Sequence, residues 1–561
     1  MILFLFFLLA VDCLTVSRLG VQRRVIYITP CTVRAWHLKD IILTCTIPGP
    51  EMVACFRRLF GRTSELEEEK QRRTTSRHAW GGRSDVLPYL ASGYSYIRVD
   101  ADHSRHHHHT HNSEFRMMKE STSIHEATER MRRGVLTPTD LVERCLSKIE
   151  QVDDRVGGAW VYVDREGARR EARRLTELAT RGEFVGPLHG IPIGIKDMID
   201  VAGMPTKAGS SLHQNAPAAM RDAAVVTKLR RAGAIILGKT VTTEWACMDP
   251  PSTRNPFNVR CTPGGSSSGS AVAVAAGMCM AALGTQTAGS ILRPASYCGI
   301  CGLKPTFSPD SMLGIAPISF HLDHVGPMAR NVADLMILHN VMVEDTEPAP
   351  RASNLPPVLS RLDEFFWDHT DVATRKSFQE ALDKLTEAEW KDAPRLPDSF
   401  HSVHDHHATI MAVDAAQVHA KTFHMFPEKF SPKITELIRY GLSISLPQYV
   451  ISLRHQQNFC IEMSQLIRDG GGLWVMPCVP ATAPGPETTG DTRFNLPWSY
   501  CGFPAVTIPC GLDDERGMPV GLQIVAPRGK ENELLCAAAW CQEKIDTPLP
   551  YQDLPVIPAT N

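Results

Sequence analysis

The chain has 561 residues and a formal net charge of −2, with 43% hydrophobic and 21% charged residues. That balance is ordinary for a globular protein and offers no basic field for nucleic-acid binding. Its 16 cysteines have no repeating spacing and often sit in apolar or alanine-rich runs, which reads as buried thiols in a reducing compartment rather than a disulfide framework.

Residues 1–116 read differently from the rest. Residues 1–11 are an unbroken apolar run, too short to span a bilayer. They look like the h-region of a signal peptide, yet no Lys or Arg precedes them and no clear Ala-x-Ala site follows. Beyond them Arg, Cys, Trp and Pro mix without helical or strand period. The histidine-rich tract at 103–111 reads as low-complexity basic sequence with adventitious metal affinity. Residues 1–116 are therefore expected to be a disordered or non-native extension, with Met117 or Met118 marking the start of the folded chain. On that account the protein is cytoplasmic. A genuine signal peptide with a pro-segment is the alternative, and would make it secreted.

Globular patterning begins near Ser121. Residues 124–133 and 138–151 have amphipathic helical spacing, and Thr137 is placed as an N-cap before Pro138. Residues 165–182 are expected to form a third helix. The apolar run 191–195 reads as a buried strand ending on Lys196. Taken alone, that lysine reads as a snorkelling side chain with a wet head. Residues 222–232 are expected as helix and 234–237 as strand. Gly233, Gly238, Lys239 and Thr240 satisfy the spacing G-x-x-x-x-G-K-T, but a phosphate loop must follow a strand and open a helix. Here the intervening residues are themselves strand-like and follow a helix. Gly233 thus reads as a helix C-cap and 238–240 as a strand exit, without nucleotide binding.

Residues 262–306 carry the densest pattern. A Gly/Ser turn at 264–267 leads into small apolar residues, then into a second Gly/Ser turn at 284–290. Glycine lets backbone approach a ligand closely, and serine supplies hydroxyls for attack or proton relay. Flexible linkers lack such apolar density. Further on, His321 and His324 precede a helix at 334–343, and the Pro-rich residues 344–360 are expected on the surface. Residues 373–390, 412–426 and 437–470 are expected as helix, the last interrupted at Pro447. His401, His404, His406 and His407 cluster around Asp405 on a loop. Neither histidine group has the pair-and-gap spacing of a zinc site. Strand patterns return at 473–476, 502–509 and 520–525.

Taken together, the residues Pro187 to Asp197, Gly264 to Ser267, Ala288 to Ile291, Pro294–Ala295, Cys298–Gly299 and Gly302 to Pro305 resemble the signature of the amidase signature family of serine hydrolases. The resemblance runs from about Ser121 to about Gln542. It implies an α/β fold: one large domain over 117–545, with a mixed central β-sheet covered by helices on both faces. A helical insert at about 345–470 and a tail at 546–561 complete the expected layout. It implies a hydrolase of carbon–nitrogen bonds other than peptide bonds, cleaving a carboxylic acid amide to acid plus ammonia or amine through an acyl-enzyme. By motif position, Ser290 is the nucleophile, Ser266 the bridging serine that follows a cis peptide, and Lys196 the general base. The backbone amides of Thr287, Ala288, Gly289 and Ser290 are the expected oxyanion donors. No cofactor and no metal are implied.

Three positions depart from the family pattern. Gln286 stands where many members have Asp, and Ala288 where they have Gly; the arginine after the nucleophile is displaced to Arg293. Free amidases are the expected class, acting on a small-molecule amide with a homodimer permitted. With Ile291, Tyr297 and Trp498 beside the signature, the pocket is expected to favour apolar or aromatic amides. The alternative is an A subunit of a glutamyl-tRNA(Gln)/aspartyl-tRNA(Asn) amidotransferase, which releases ammonia from glutamine for a partner and would bring a tRNA into play. An inactive scaffold is a third reading, opposed by the intact Lys196, Ser266 and Ser290.

Overall fold

The computed structural model describes residues 123–343, 355–392 and 394–549. The expectations for residues 1–116, for a start at Met117 and for most of the tail lie outside them. The Ser123 hydroxyl accepts from Glu126 N and caps α1 (Ile124–Arg132). Thr137 and Asp140 close a capping box on α2 (Pro138–Val152), with proline in the first turn. β1 (Trp160–Val163), α3 (Arg165–Thr180), β2 (Pro192–Lys196), α4 (Ala224–Arg231) and β3 (Ile235–Thr240) follow. The signature stretch gives α5 (Ser268–Ala275), β4 (Ala281–Gln286), α6 (Leu292–Tyr297) and β5 (Cys301–Lys304), before β6 (His324–Ala329) and α7 (Val332–Val343). The remainder supplies β7 (Val358–Arg361), α8 (Glu364–Asp368), α9 (Val372–Asp383), β8 (Glu389–Lys391), α10 (Val403–Met425), α11 (Pro432–Ser443) and α12 (Leu446–Gly470). β9 (Leu473–Pro477), α13 (Leu496–Tyr500), β10 (Ala505–Leu512), β11 (Pro519–Val525) and α14 (Glu531–Ile545) close the fold.

Among the described residues, eleven strands form one sheet in the order β1-β3-β2-β4-β6-β5-β10-β11-β9-β7-β8. It is mixed: β2 runs parallel to β3 and β4, and β7 parallel to β8 and β9, while the other pairs are antiparallel. Successive strand side chains point to opposite faces, and the cores follow that rule. In β3, Ile236 joins one core with residues of α1, α4, α7, α9 and α14. Its neighbours Ile235 and Leu237 join a second core with α2, α3 and α5. In β9, Val475 faces the first core while Trp474 and Met476 enter a third, under α8, α10, α12 and α13. Helices therefore cover both faces, as the α/β reading requires. No helix of the described residues is long and apolar enough to cross a membrane.

Several boundaries differ from the sequence reading. Gly238, Lys239 and Thr240 continue β3 rather than leaving it, because Lys239 Nζ finds the Asp197 carboxylate at 2.9 Å. Gly233 has φ 94 and follows the helix, as expected. Gly284 to Gln286 belong to β4, so the second turn is confined to Thr287 through Ile291. The stretch 345–470 is not purely helical. β7 and β8 join the sheet within it, and residues 358–360, expected on the surface, fall in β7. Residues 389–390, expected as the end of a helix, open β8 instead. His404, His406 and His407, placed on a loop by sequence, lie in the first turns of α10. Residues 437–470 split into α11 and α12, with Pro447 in the first turn of α12.

Candidate active site

β2 is paired on both sides and buried along its whole length, and Lys196 is its last residue. The side chain is fully buried, and its Nζ lies 2.7 Å from Ser266 Oγ, 2.8 Å from Thr285 Oγ1 and 3.3 Å from Thr285 O. The head is therefore not wet, as the lone-residue reading had it. Burial disfavours the ammonium and holds its pKa well below the ordinary lysine range, with the Asp323 carboxylate acting in the opposite sense. Ser266 follows a cis Gly265–Ser266 peptide. The Ser267 amide donates to Ser290 O at 3.3 Å, which joins the two serine turns directly. Exposure rises from 0% at Lys196 through 1% at Ser266 to 8% at Ser290. The three thus lead outward from the core, with Ser290 the most accessible. The Ser290 hydroxyl makes no hydrogen bond to another described residue, so the link from Ser266 to Ser290 is not closed in this state.

The turn from Thr287 to Ser290 is held from several elements. The Thr287 hydroxyl donates to Asp323 Oδ1 at 2.6 Å, and Asp323 Oδ2 accepts from the amides of Ile318 and Ser319. Burial pushes the Asp323 carboxyl up to about 6. Gln286 Oε1 accepts from Ile291 N at 2.8 Å and Leu292 N at 3.0 Å, while its Nε2 donates to Ser499 Oγ. The amide that replaces a carboxylate here thus serves as acceptor and donor at once. Arg293 is buried and donates to Gly265 O, Gly490 O and Thr489 Oγ1, gripping the backbone beside Ser266. Among the described residues, no group accepts from the amide N–H of Thr287, Ala288, Gly289 or Ser290. A turn of free donors beside a serine can receive developing negative charge on an oxygen.

Sequence reading did not single out Thr285, Asp323 or Ser499. Asp323 lay in view between His321 and His324, but nothing in spacing announces a buried carboxylate. His407 was weighed only as a metal ligand; its Nε2 donates to Thr287 O at 3.1 Å. His321 Nδ1 instead meets the buried Asp414 carboxylate at 2.9 Å. No group of three or more potential metal ligands occurs among the described residues. Ile291, Tyr297 and Trp498 are 0%, 2% and 0% exposed. They are core residues, so they do not furnish the apolar substrate pocket that the sequence suggested.

Comparison with known proteins places this geometry in a family. The Amidase family model matches residues 140–469. The chain is 31% identical over 453 residues to AtzE, a component of the 1-carboxybiuret hydrolase of Pseudomonas sp. (strain ADP), covering 74% of this chain and 96% of that one. It is also 31% identical over 471 residues to the A subunit of the glutamyl-tRNA(Gln) amidotransferase of Symbiobacterium thermophilum, covering 73% and 94%. The native peptide amidase from Stenotrophomonas maltophilia superposes with a TM-score of 0.65 at 27% identity, over 76% of this chain and 98% of that one. With its mixed sheet and two serine turns beside a buried lysine, the chain belongs to the amidase signature family.

Proposed function

We propose that this chain hydrolyses a carboxylic acid amide to an acid and ammonia or an amine, with Ser290 as nucleophile, Ser266 as bridging serine and Lys196 as general base. The observation that carries this reading is the set of partners around Lys196 Nζ. Two are oxygens of Thr285, one of them a carbonyl that can only accept, and the third is Ser266 Oγ. A neutral amine has two N–H donors and one lone pair. Both donors can go to Thr285, which leaves the lone pair for the Ser266 hydroxyl proton. Burial keeps the amine in that neutral form.

In the step itself, Ser290 Oγ bonds to the amide carbon as its proton passes to Ser266, whose own proton passes to Lys196. The carbonyl oxygen takes up negative charge facing the amides of Thr287, Ala288, Gly289 and Ser290. Collapse breaks the C–N bond, and the leaving nitrogen recovers the proton along the reverse path. Water then repeats the sequence on the acyl-enzyme. Ser–Lys relays are an alternative to the serine–histidine arrangement. Labelling with a fluorophosphonate, followed by mass spectrometry, tests the assignment. Label on Ser290 and no turnover by Ser290→Ala support it; label on another serine refutes it.

A second reading has equal support from similarity, because the amidotransferase component matches as well as the hydrolase component. The burial of Ile291, Tyr297 and Trp498 removes the ground on which sequence favoured apolar amides. The two readings separate on kcat/KM for glutamine against an aryl or alkyl primary amide, measured with the purified chain alone. A free amidase prefers the latter without ATP, tRNA or metal. Preference for glutamine, or cleavage only after a partner protein is added, selects the amidotransferase.

A further inference from the structure

A trans peptide is planar, with its N–H pointing opposite to its C=O. Holding the carbonyl of one residue therefore aims the amide of the next. The four peptides that carry the free donors are each held from the carbonyl side. Gln286 O, which shares a peptide with Thr287 N, lies 3.2 Å from His324 Nδ1. Thr287 O, which sets Ala288 N, accepts from His407 Nε2 at 3.1 Å. Ala288 O, which sets Gly289 N, accepts from Ser499 Oγ at 2.7 Å. Gly289 O, which sets Ser290 N, accepts from Arg293 N at 2.9 Å. His324 and Arg293 sit in β6 and at the start of α6, next to the signature. His407 and Ser499 reach in from α10 and α13, far along the chain.

We propose that His407 and Ser499 are positioning residues, which fix the peptide planes presenting the Ala288 and Gly289 amides to the oxyanion. The inference rests on the relay assigned under Proposed function. Preset donors stabilise developing charge without reorganising at the moment of reaction. His407 is buried, and burial lowers its pKa to about 4. Its ring is therefore neutral at working pH, and the contact with a carbonyl fixes the proton on Nε2. Ser499 is buried as well, and its hydroxyl oxygen accepts from Gln286 Nε2. That leaves its single O–H committed to Ala288 O. Neither side chain hydrogen-bonds to Lys196 or Ser266.

The test is the second-order rate constant for labelling Ser290 with a fluorophosphonate, whose phosphoryl oxygen takes the oxyanion position whatever the natural substrate. It is measured against pH for the full chain and for the variants His407→Leu, His407→Gln and Ser499→Ala, each checked for an intact melting transition. Expected is a fall of about 10- to 100-fold in His407→Leu and Ser499→Ala, less than the 10²–10³-fold of deleting a donor outright. His407→Gln keeps an N–H donor near the place of Nε2 and should recover most of the rate. The midpoint of the acid limb should stay where it is in all variants, because the base is untouched. A merely structural role would not combine lost height, fixed midpoint and rescue by glutamine. Unchanged rates in folded His407→Leu and Ser499→Ala overturn the inference, as does a displaced midpoint or no rescue. Should His407→Leu fail to fold, Ser499→Ala decides alone. Label on a serine other than Ser290 in the unaltered chain overturns the parent relay, and the inference with it.

Discussion

Two interiors share this sheet and are built on different rules. Around Lys196 the buried side chains are polar: Lys239, Asp197, Ser266, Ser267, Ser268, Ser270, Thr285 and Gln286. Their partners are individual atoms, as where Ser270 Oγ donates to Leu283 O, Ser268 Oγ to Gly264 O and Ser267 Oγ to Thr285 O. Under α8, α10, α12 and α13 the interior is aromatic: Phe366, Phe400, Phe459, Phe494, Trp474 and Trp498, packed edge-on, tilted or stacked against one another. In the first region identity matters, since losing one partner leaves the other buried and unsatisfied at about 1–3 kcal/mol. In the second, volume matters, and similar volumes substitute for one another at under ~1.5 kcal/mol.

The largest expected effect lies where the polar interior reaches solvent. Ser290→Ala should remove turnover by on the order of 10⁴–10⁶-fold while leaving the melting temperature unchanged, since its hydroxyl holds no other described residue. Lys196→Ala should lose as much and also destabilise, because Thr285 and Ser266 lose their common partner. Groups that act as one unit are not additive. Lys196→Ala combined with Ser266→Ala should therefore be little slower than either change alone. Additive losses in steady-state assays would break the relay.

Next in size is a purely structural change in the same interior. Lys239 and Asp197 form an ion pair whose side chains are 0% and 1% exposed. Removing one partner of a buried pair leaves an uncompensated charge and costs about 3–5 kcal/mol. Lys239→Ala should lower the unfolding free energy by that amount, read as a lower urea midpoint at constant slope. Lys239→Met with Asp197→Leu, which removes both charges, should recover much of the loss. No recovery would mean that the pair is held by more than charge compensation.

The contrast also explains what was legible in the sequence. A polar interior needs particular residues at particular places, so Lys196, Ser266, Ser290 and the glycines around them stand out as motifs. Short apolar runs marked β2 and β9 as buried strands, strand patterning marked β11, and proline after a capping residue marked α2. The continuation of β3 through Lys239 was hidden because its stabilising partner, Asp197, lies on another strand exit. β8 was hidden because its three residues are all exposed and carry no alternation. The start of α10 was misread because three histidines and an aspartate obscure its period, and because it is buried on more than one side. Its reach to Thr287 O depends on packing distant segments, which no local spacing encodes.

A smaller effect tests the electrostatics of the polar interior. Activity on the acid side should fall as Lys196 takes up a proton, since only the neutral amine can accept from Ser266. Among the described residues, the charge acting on Lys196 is that of Asp323, which favours the ammonium and raises its pKa against the larger effect of burial. Asp323→Asn removes that charge. The Lys196 proton should then leave at still lower pH, and the midpoint of the acid limb should move downward. Asn can still accept from the Thr287 hydroxyl, so the turn keeps one anchor. A midpoint that moves upward would show that Asp323 acts on the base by some route other than its charge.

The smallest expected effect belongs to the aromatic interior. Phe366 is fully buried and stacks on Trp498 with ring centroids 5.9 Å apart, and its edge contacts include Phe494 at 5.1 Å. None of these rings offers a polar atom whose partner would be orphaned by a change at Phe366. Phe366→Leu keeps most of the volume and the apolar character, and loses ring contacts worth about 0.5–1.5 kcal/mol each beyond area. Some of that returns as neighbouring rings close on the smaller side chain, so a net cost of about 1–1.5 kcal/mol is expected. Turnover should be unchanged, because the residue touches neither the serine turns nor their anchors. Chemical denaturation and a rate measurement on the same preparation decide it. A cost near that of Lys239→Ala, or a loss of rate, would mean that the aromatic interior is as exacting as the polar one. The signature would then owe its legibility to something other than the demands of buried polar groups.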